Sequence, residues 1–413
     1  MPQVPSPKSS LQINAMELLF KMYESIPKGS SFRETTEKPE HASPSDDLLP
    51  KGMSFFRHSH AGVSYHGLAC ETSMDCMAAD CEPKSPASPA SPTLVHCAHG
   101  FGASSLSFAN LMKAAKERPL KDGTPSAWVA HDVFGFGFTA TDNCDKDEAD
   151  PEADPVDSFK SLLPLESNGK AAVSICKSLA QGTEEPANAV FIGHSMGAIS
   201  ALCSASEWLE TGHTVDGVVL IAPAINTATM KNPNPNNFTG ALTPAVRSLF
   251  DVAKVFWGMV PAPVRRTSMA SALKIGVSLD FFWNLGLRFA LGWHQEPHPE
   301  TVEQYKCPMT KADWAPWLVA FIEANVLRSP SDPVTEALPL QQKIQQLLDA
   351  QVKILVVHDP TDTFTPLNNS EDLAEAFDNK VLLEVVELDA GHLVHETDPG
   401  QLLDLLEKHG ICV

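Results

Sequence analysis

Short apolar segments alternate with helix-length segments along much of this chain of 413 residues. Runs such as TLVHCA, NAVFIGH and VDGVVLIAP are rich in apolar and β-branched residues, and each is followed by a longer stretch of different periodicity. Strands of this kind are buried on both faces, which is typical of a parallel sheet covered by crossover helices. The predicted strands are 93–98, 126–132, 188–194, 215–223, 351–359 and 380–390, preceded by a pair at 53–59 and 63–69.

The pattern divides the chain into segments of different character. A start rich in Pro, Ser and charge predicts a disordered N-terminal extension, and a Pro/Ser-rich stretch and an acidic stretch predict flexible inserts. After the fourth of these parallel-type strands helical periodicity takes over, which predicts a helical cap inserted into an α/β core. The predicted organisation is an extension at 1–50, a first core part at 51–225 with inserts at 71–92 and 142–168, a cap at 226–350 and a second core part at 351–413.

Charge and cysteine content exclude several classes of protein. The chain has 30 Lys and Arg residues against 51 Asp and Glu residues, a formal net charge of −21. Nucleic acid and an anionic membrane surface both repel a polyanion, so nucleic acid is not expected as a partner. The nine cysteines are odd in number and scattered, which is not typical of a disulfide framework. Their spacing does not match a zinc site, and neither a metal nor a cofactor is expected.

Targeting signals are not evident in the sequence. Runs of about 18 or more apolar residues, which a membrane-spanning helix needs, do not occur, and the first residues lack the pattern of a signal peptide. We therefore expect a cytoplasmic protein. The oligomeric state is not indicated by the sequence.

The pentad Gly193-His194-Ser195-Met196-Gly197 follows a predicted strand and precedes a helical segment. The pattern G-x-S-x-G at a strand-to-helix turn is typical of a nucleophile elbow, where the serine sits on a strained backbone. Neighbouring segments come too close to such a turn for a Cβ atom, so the two flanking glycines are needed there. An ordinary helix N-cap serine is the alternative interpretation.

A serine hydroxyl becomes a nucleophile when a base takes its proton, and an acid must fix the tautomer of that base. Both partners follow in the chain order that this motif requires. His392 comes after a late strand, and two carboxylates, Asp359 and Asp362, come after the strand before it. Asp362 is favoured because Asp359 ends the strand directly, whereas Asp362 lies in the following loop. His395 is expected to pack or to face solvent rather than to bind a metal.

The turn His99-Gly100-Phe101-Gly102 directly follows the first predicted parallel strand. Attack on an ester creates an oxyanion, which preorganised N–H groups must stabilise. The main-chain amides of Phe101 and Met196 are the predicted donors, and Gly100 and Gly102 line the turn. A plain turn without this role is the alternative.

In combination, these motifs resemble the α/β-hydrolase superfamily over about residues 51–413. The resemblance implies an α/β-hydrolase fold with a mostly parallel eight-stranded sheet, a helical cap in the capped branch, and a triad of Ser195, His392 and Asp362. Two departures are visible. The glycine usually found three residues before the acid is Asp359 here, and the inserts at 71–92 and 142–168 are unusually long. The motifs that carry the resemblance are GHSMG at 193–197, HGFG at 99–102, DVFGFG at 132–137, HDPTD at 358–362 and GH at 391–392.

The same resemblance narrows the chemistry. A serine nucleophile argues against the branches that use aspartate at this position, the haloalkane dehalogenases and epoxide hydrolases. Hydrolysis of carboxylic esters, thioesters or certain carbon–carbon bonds remains, and the fold does not choose among these. The family includes monoacylglycerol lipases and chlorophyll-ester hydrolases, which the sequence does not separate.

Two strongly apolar and aromatic stretches of the predicted cap, 252–260 and 279–293, are the best indication of a substrate. Such faces pack onto the core, line an acyl or isoprenoid pocket, or contact a membrane peripherally. The leading hypothesis is a serine hydrolase of a hydrophobic, lipid-like carboxylic ester that acts through an acyl-enzyme on Ser195. A carbon–carbon bond hydrolase with the same triad and a non-catalytic binding protein on the same fold are the alternatives.

Overall fold

The computed structural model describes most of the predicted core and cap. The predicted N-terminal extension lies outside the described residues up to 48, as do most of the two predicted inserts, 72–92 and 142–158. Their predicted disorder therefore stays a prediction. The structure describes residues 49–71, 93–118, 126–141, 159–180, 187–231, 238–292, 295–311, 313–327, 339–411 and 413.

One mixed sheet organises the molecule. Its strands are β1 Met53–His60, β2 Val63–Glu71, β3 Thr93–Ala98, β4 Ser126–His131, β5 Ala140–Thr141, β6 Asn188–His194, β7 Thr214–Ile221, β8 Ile354–His358 and β9 Leu383–Glu387. They are ordered β1-β2-β4-β3-β6-β7-β8-β9, with the short β5 paired to β2. β1, β4 and β5 pair with β2 antiparallel, and all neighbours from β4 to β9 are parallel. The mostly parallel sheet of eight strands is thus confirmed, with β5 as a two-residue ninth.

Helices cover the sheet and fill the segment between β7 and β8. In chain order the described α-helices are α1 Ala109–Lys116, α2 Leu165–Leu179, α3 Gly197–Glu210, α4 Thr227–Lys231, α5 Pro244–Met259, α6 Ala262–Val277, α7 Asp280–Ala290, α8 Pro299–Lys306, α9 Trp314–Asn325, α10 Leu340–Asp349, α11 Asn368–Glu375, α12 Val394–Thr397 and α13 Pro399–Lys408. Among the described residues, none of these helices has both the length and the hydrophobicity that crossing a bilayer requires.

Alternate side chains of the central strands enter two separate apolar cores. In β6, Phe191 packs on the side of α2 and α3, whereas Val190 and Ile192 pack on the side of α1 and α13. This is the two-residue period of a strand that is buried on both faces. It explains why the central strands are continuous apolar runs in the sequence.

Two helix positions differ from the prediction. Helix α2 begins at Leu165, so residues 165–168 belong to this helix and not to the acidic insert. Its start is fixed by Pro164 and by burial of Leu165 and Asn168, whose side-chain oxygen accepts a hydrogen bond from His131 at 3.1 Å. The second difference concerns α10, which lies inside the predicted cap range 226–350.

Helix α10 packs against α3 and belongs to the layer that covers the sheet. Its residues Leu340, Ile344 and Leu347 are completely buried in the core. The predicted cap boundary at residue 350 is therefore too late. This position could not be recognised from sequence, because an amphipathic helix looks the same whether it covers a sheet or forms part of a cap.

The last strand is shorter than the predicted strand 380–390. It ends at Glu387, and the chain then leaves the sheet in a turn. The amides of Ala390 and Gly391 donate to the carboxylate of Asp359 at 2.8 and 2.5 Å instead of pairing with a strand. This turn carries His392 to the carboxyl edge of the parallel strands.

Candidate active site

Ser195 occupies the sharp turn between β6 and α3. Its φ of 54° lies in the left-handed region, which a residue with a side chain seldom adopts. Its amide donates to the carbonyl of Ile221 at 2.9 Å, and its carbonyl accepts from the amides of Ala198 and Ala224, each at 3.1 Å. These three hydrogen bonds hold the strained conformation, which is that of a nucleophile elbow.

The flanking glycines are required by close backbone approaches. A Cβ atom at Gly193 would lie 2.5 Å from the carbonyl oxygen of Gly197, and one at Gly197 would overlap the carbonyl oxygen of Ala98. Real Cβ atoms do not approach backbone so closely, so neither position accepts a side chain without displacement of the backbone.

His392 and Asp362 lie together at the same edge of the sheet. His392 Nδ1 is 2.7 Å from Asp362 Oδ2, and both side chains are almost fully buried. The Asp362 carboxylate also accepts from the amides of Phe364 at 2.7 Å and Thr365 at 3.2 Å, and from the Thr365 hydroxyl at 2.8 Å. Burial by itself raises the pKa of Asp362, but the His392 and His358 rings and the Phe364 amide outweigh it and hold the pKa well below its ordinary value.

Asp359 has a different set of partners. Its Oδ1 accepts from the amide and the hydroxyl of Thr361 at 2.5 and 2.7 Å, and its Oδ2 accepts from the amides of Ala390 and Gly391. Burial raises its pKa, and these hydrogen bonds lower it to below the ordinary value overall. The structure therefore joins His392 to Asp362, while Asp359 organises the turn that presents His392.

His194 connects the elbow to the histidine loop. Its Nε2 lies 2.9 Å from the carbonyl oxygen of His392 and donates to it, and the two rings are 4.7 Å apart between centroids. Burial drives the pKa of His194 well below its ordinary value, so the ring is neutral. In the described part of the chain the Ser195 hydroxyl itself takes no hydrogen bond, including none with His392. The role of His194 was not predicted, because the middle letters of G-x-S-x-G do not specify one.

His395 also packs against the His194 ring and is completely buried. Its ring centroid is 4.4 Å from that of His194 and 4.8 Å from that of Phe108. Burial, and to a smaller extent the nearby His392 ring, lower the pKa of His395 to about 3. Within the described residues, His, Cys, Asp and Glu side chains form no group that could hold a metal.

The glycine turn after β3 packs directly on Ser195. A Cβ atom at Gly100 would be 3.1 Å from the Cβ of Ser195, and Gly102 has a φ of 77° that favours glycine. Neither the Phe101 amide nor the Met196 amide donates a hydrogen bond to another described residue. Both predicted donors are therefore available beside Ser195.

His99 fixes the orientation of this turn. Its Nδ1 donates to the Gly100 carbonyl at 2.8 Å, and its Nε2 accepts from the Val133 amide at 2.9 Å. In a planar trans peptide the C=O and the following N–H point in opposite directions. The bond to the Gly100 carbonyl consequently sets the direction of the Phe101 N–H.

An aromatic cluster lies against the glycine turn. The ring of Phe101 is within 5.5 to 6.4 Å, between centroids, of Phe136, Phe238, Phe250 and Phe321. The last three belong to the inserted helical segment, so this segment contacts the glycine turn beside Ser195. Single phenylalanines carry no motif, and the sequence indicated only that the cap is rich in aromatic residues.

The cap also holds the loops of the acid and the histidine. The His392 amide donates to the carbonyl of Ala290 at the end of α7 at 2.9 Å. The amide of Thr243, just before α5, donates to the Phe364 carbonyl in the acid loop at 2.7 Å. Both loops are thus bound on one side by the cap and on the other by the sheet.

Comparisons with known proteins agree with this architecture. A family model described as the alpha/beta hydrolase family matches residues 94–405. Protein phosphatase methylesterase 1 of Cryptococcus neoformans var. neoformans serotype D is 28% identical over 178 residues, 43% of this chain and 38% of that protein. The match therefore spans about two fifths of this curated relative.

Solved structures share the fold at low sequence identity. The Cif epoxide hydrolase from Acinetobacter nosocomialis aligns with a TM-score of 0.55 at 12% identity, over 91% of this chain and 99% of that one. A haloalkane dehalogenase from Bradyrhizobium elkani USDA94 aligns with a TM-score of 0.51 at 15% identity, over 86% of this chain and 98% of that one. Similarity at this level shows the fold and does not specify a substrate.

Proposed function

The chain belongs to the alpha/beta hydrolase family, and we propose that it is a serine hydrolase that cleaves a carboxylic ester through an acyl-enzyme on Ser195. The observation that carries the proposal is the buried hydrogen bond of 2.7 Å between His392 and Asp362, formed at the sheet edge where Ser195 sits on a strained turn. A base with an orienting acid, next to a serine in this conformation, suits nucleophilic catalysis.

The proposed reaction has two halves. His392 Nε2 takes the hydroxyl proton as Ser195 attacks the ester carbon, and it returns that proton to the departing alcohol. His392 then takes a proton from water as the water oxygen attacks the acyl carbon, and it returns that proton to the Ser195 oxygen as the acyl–oxygen bond breaks, which releases the acid and the free serine. Substrate binding brings Ser195 and His392 into the hydrogen bond that this mechanism needs, since such bonds are often long before the substrate is bound.

Charge stabilisation is assigned to groups beside the nucleophile. The amides of Phe101 and Met196 donate to the oxyanion that develops on the ester carbonyl. The Asp362 carboxylate stays ionised because its pKa is far below its ordinary value, and it stabilises the His392 imidazolium during each half reaction. Each step in this scheme is carried out by groups of the protein and by water.

The proposed substrate is a hydrophobic, lipid-like ester. The aromatic cluster around Phe101 supports an apolar acyl group, because it places apolar surface next to the proposed oxyanion donors. The name of the relative, a methylesterase, supports an ester as the bond that is cleaved. Peripheral contact of the cap with a membrane, which its apolar stretches predict, is part of this proposal.

Hydrolysis of p-nitrophenyl esters from acetate to palmitate tests the proposal. We expect wild-type activity to increase with acyl length and the Ser195→Ala variant to be inactive. Ser200→Ala is the matched control, since Ser200 lies in α3, the helix that follows Ser195, and donates to the Leu165 carbonyl at 3.0 Å. It should keep its activity. Equal activity of wild type and Ser195→Ala would overturn the proposed nucleophile.

A further inference from the structure

Exposed apolar side chains are concentrated on the cap. Of the ten exposed large apolar residues in the described part of the chain, seven lie on α5, α6 and α7. Isolated exposed apolar residues are normal, but a concentration of them on consecutive helices marks an interaction surface. The seven are Leu249, Val255, Met259, Val264, Ile275, Phe281 and Phe282.

The charge of α5 and α6 is opposite to that of the whole protein. Residues 244–277 contain five basic residues and one acidic residue, a net charge of +4, whereas the full chain has −21. The acidic residue, Asp251, lies within 3.9 Å of Arg247 and 3.6 Å of Lys254. The basic residues are Arg247, Lys254, Arg265, Arg266 and Lys274. Of these, Arg266 is paired with Glu323 of α9 at 2.6 Å, so the other four supply the positive charge of the surface.

The corner between α5 and α6 combines both features. Met259 is 74% exposed, and Val255 and Val264 are also exposed. The Arg265 guanidinium lies 5.7 Å from the centroid of the Trp257 ring and donates to the Val260 carbonyl at 2.6 Å. Aliphatic side chains next to Trp, Arg and Lys are the composition of helices that lie in a membrane interface.

We propose that the exposed faces of α5 and α6, here called the cap surface, bind a membrane surface that contains anionic lipids. The apolar side chains insert among the headgroups, and the basic side chains contact the lipid phosphates. This inference rests on the proposed function, because it assumes that the site cleaves a lipid-like ester. Helix α5 connects the cap surface to that site, since it carries Phe250, whose ring centroid is 5.6 Å from that of Phe101. Binding would bring the proposed ester site close to its lipid-like substrate.

The negative charge of the remaining protein is compatible with this arrangement. At physiological ionic strength charges are screened over about 8 Å, so groups at the contact dominate over distant carboxylates. Repulsion of the acidic part instead orients the molecule with the cap surface toward the lipid. The net charge of the whole chain, which argues against binding to an anionic membrane, therefore does not describe this one surface.

Vesicle co-sedimentation of the full chain tests the proposal. The probes are vesicles of phosphatidylglycerol mixed with phosphatidylcholine, and vesicles of phosphatidylcholine alone. We expect binding to the mixed vesicles that weakens as salt is added, and far weaker binding to phosphatidylcholine. The Ser195→Ala variant should bind like wild type, so failure of the proposed catalysis is distinguishable from failure of this inference.

Two double variants locate the contact. Val255→Glu with Met259→Glu should abolish binding, and Lys254→Gln with Lys274→Gln should weaken it about tenfold or more, since each basic residue near such a surface contributes severalfold. All four side chains are at least partly exposed, and none belongs to the proposed triad or oxyanion donors.

Matched control variants change the same types of side chain outside the cap. Val381→Glu introduces a charge at a residue that is 80% exposed outside the cap, and Lys380→Gln with Lys408→Gln removes two exposed charges there. These variants should bind like wild type. No binding to either vesicle, or equal losses in cap and control variants, would overturn the proposal.

A second copy of the chain is the competing occupant. Sedimentation velocity over a range of concentrations distinguishes the two. A dimer that Val255→Glu with Met259→Glu converts to a monomer, together with no vesicle binding by wild type, would assign the cap surface to self-association and overturn the lipid proposal. Wild-type protein that binds the mixed vesicles at a concentration where it is monomeric supports it.

Discussion

The sheet side and the cap side of the candidate site are built in different ways. On the sheet side, backbone segments approach so closely that Gly193 and Gly197 leave no space for a methyl group. On the outer face of the cap, Gly286 of α7 is exposed, and a Cβ atom added there would meet no atom within 4 Å beyond its chain neighbours and its own helix backbone. The proposed chemical groups belong to the close-packed side, and aromatic side chains dominate the other. We therefore expect sheet-side changes to affect kcat and folding, and cap-side changes to affect KM.

The sharpest test of this difference is a pair of identical substitutions. Gly197→Ala should destabilise the protein by at least about 3 kcal/mol and abolish activity, because its Cβ would overlap the Ala98 carbonyl and displace the elbow. Gly286→Ala, inside the exposed part of α7, should be neutral or stabilise by about 0.5–1 kcal/mol. Thermal and urea unfolding measure both. Equal effects at the two positions would contradict the difference between the two sides.

The two aspartates on the sheet side are predicted to have different roles. Asp362 orients His392, and Asp359 holds the turn that presents His392. Asp362→Asn should lower kcat by about 10⁴-fold with little change in KM, since His392 loses the acid that fixes its tautomer. It should also destabilise the protein, because the buried Asp362 carboxylate likewise accepts from four donors. Asp359→Asn should destabilise the protein by about 1–3 kcal/mol, because an amide can accept from fewer of the four donors in its loop. Steady-state kinetics and unfolding of both variants check this. A larger kcat loss in Asp359→Asn would exchange the two roles.

The stabilisation that the Asp359 carboxylate provides should also depend on pH. Its pKa is lowered in the folded protein, so its stabilisation is complete above the pKa of the unfolded chain, about 4. That stabilisation is lost as the pH falls from there through the folded value. The difference in unfolding free energy between wild type and Asp359→Asn should therefore be larger at pH 7 than at pH 3. A difference that grows toward acid would contradict the assignment.

A cap-side aromatic residue should affect binding more than turnover. Phe250→Ala removes a ring that contacts Phe101, a loss of about 1–2 kcal/mol of apolar contact that should raise KM for long-chain esters about tenfold. KM for acetate esters should change little. Phe282→Ala is the control, since that ring is exposed on a different cap helix. A comparable fall in kcat for all chain lengths would show that the cap acts on the chemistry.

The smallest predicted effect concerns the link between the cap and the histidine loop. Tyr305 of α8 donates to Glu396 of α12 at 2.5 Å, and burial raises the pKa of Glu396 to about 8. The unfolded chain ionises near its ordinary value of about 4.5, so wild-type stability falls as the pH rises from there to about 8. Glu396→Gln keeps an acceptor for Tyr305 and cannot ionise.

We expect the Glu396→Gln variant to have a Tm about 2 °C above wild type near pH 8, with the gain disappearing toward pH 4.5. Differential scanning calorimetry at several pH values measures this. Tyr305→Phe is the companion variant, because it removes the donor and leaves the carboxyl group. A gain that does not depend on pH would contradict the assignment to Glu396.

The sheet was predictable because its determinants are local. The two faces of β6, β7 and β8 are both buried, which produces continuous apolar runs, and the elbow needs two glycines at fixed spacing around Ser195. The proximity of His392 and Asp362 follows from the same rule, since loops after neighbouring parallel strands meet at one edge. These features depend on a few adjacent residues and are visible in one sequence.

Features that depend on distant packing were not predictable. Whether α10 covers the sheet or belongs to the cap depends on its contact with α3, far away in the chain. The contact of His194 with the His392 carbonyl and the meeting of Phe101 with Phe250 likewise join separate elements. Position in the chain alone favours Asp362 over Asp359. The hydrogen-bond partners that distinguish the two are visible only in the folded chain.

Covalent labelling by a fluorophosphonate probe, followed by peptide mass spectrometry, tests the central claim most directly. We expect one adduct per chain on the peptide that contains Ser195, no adduct in Ser195→Ala, and much slower labelling in His392→Ala because the base is missing. Labelling of another residue in wild type, or an adduct that persists in Ser195→Ala, would contradict the claim that Ser195 is the nucleophile.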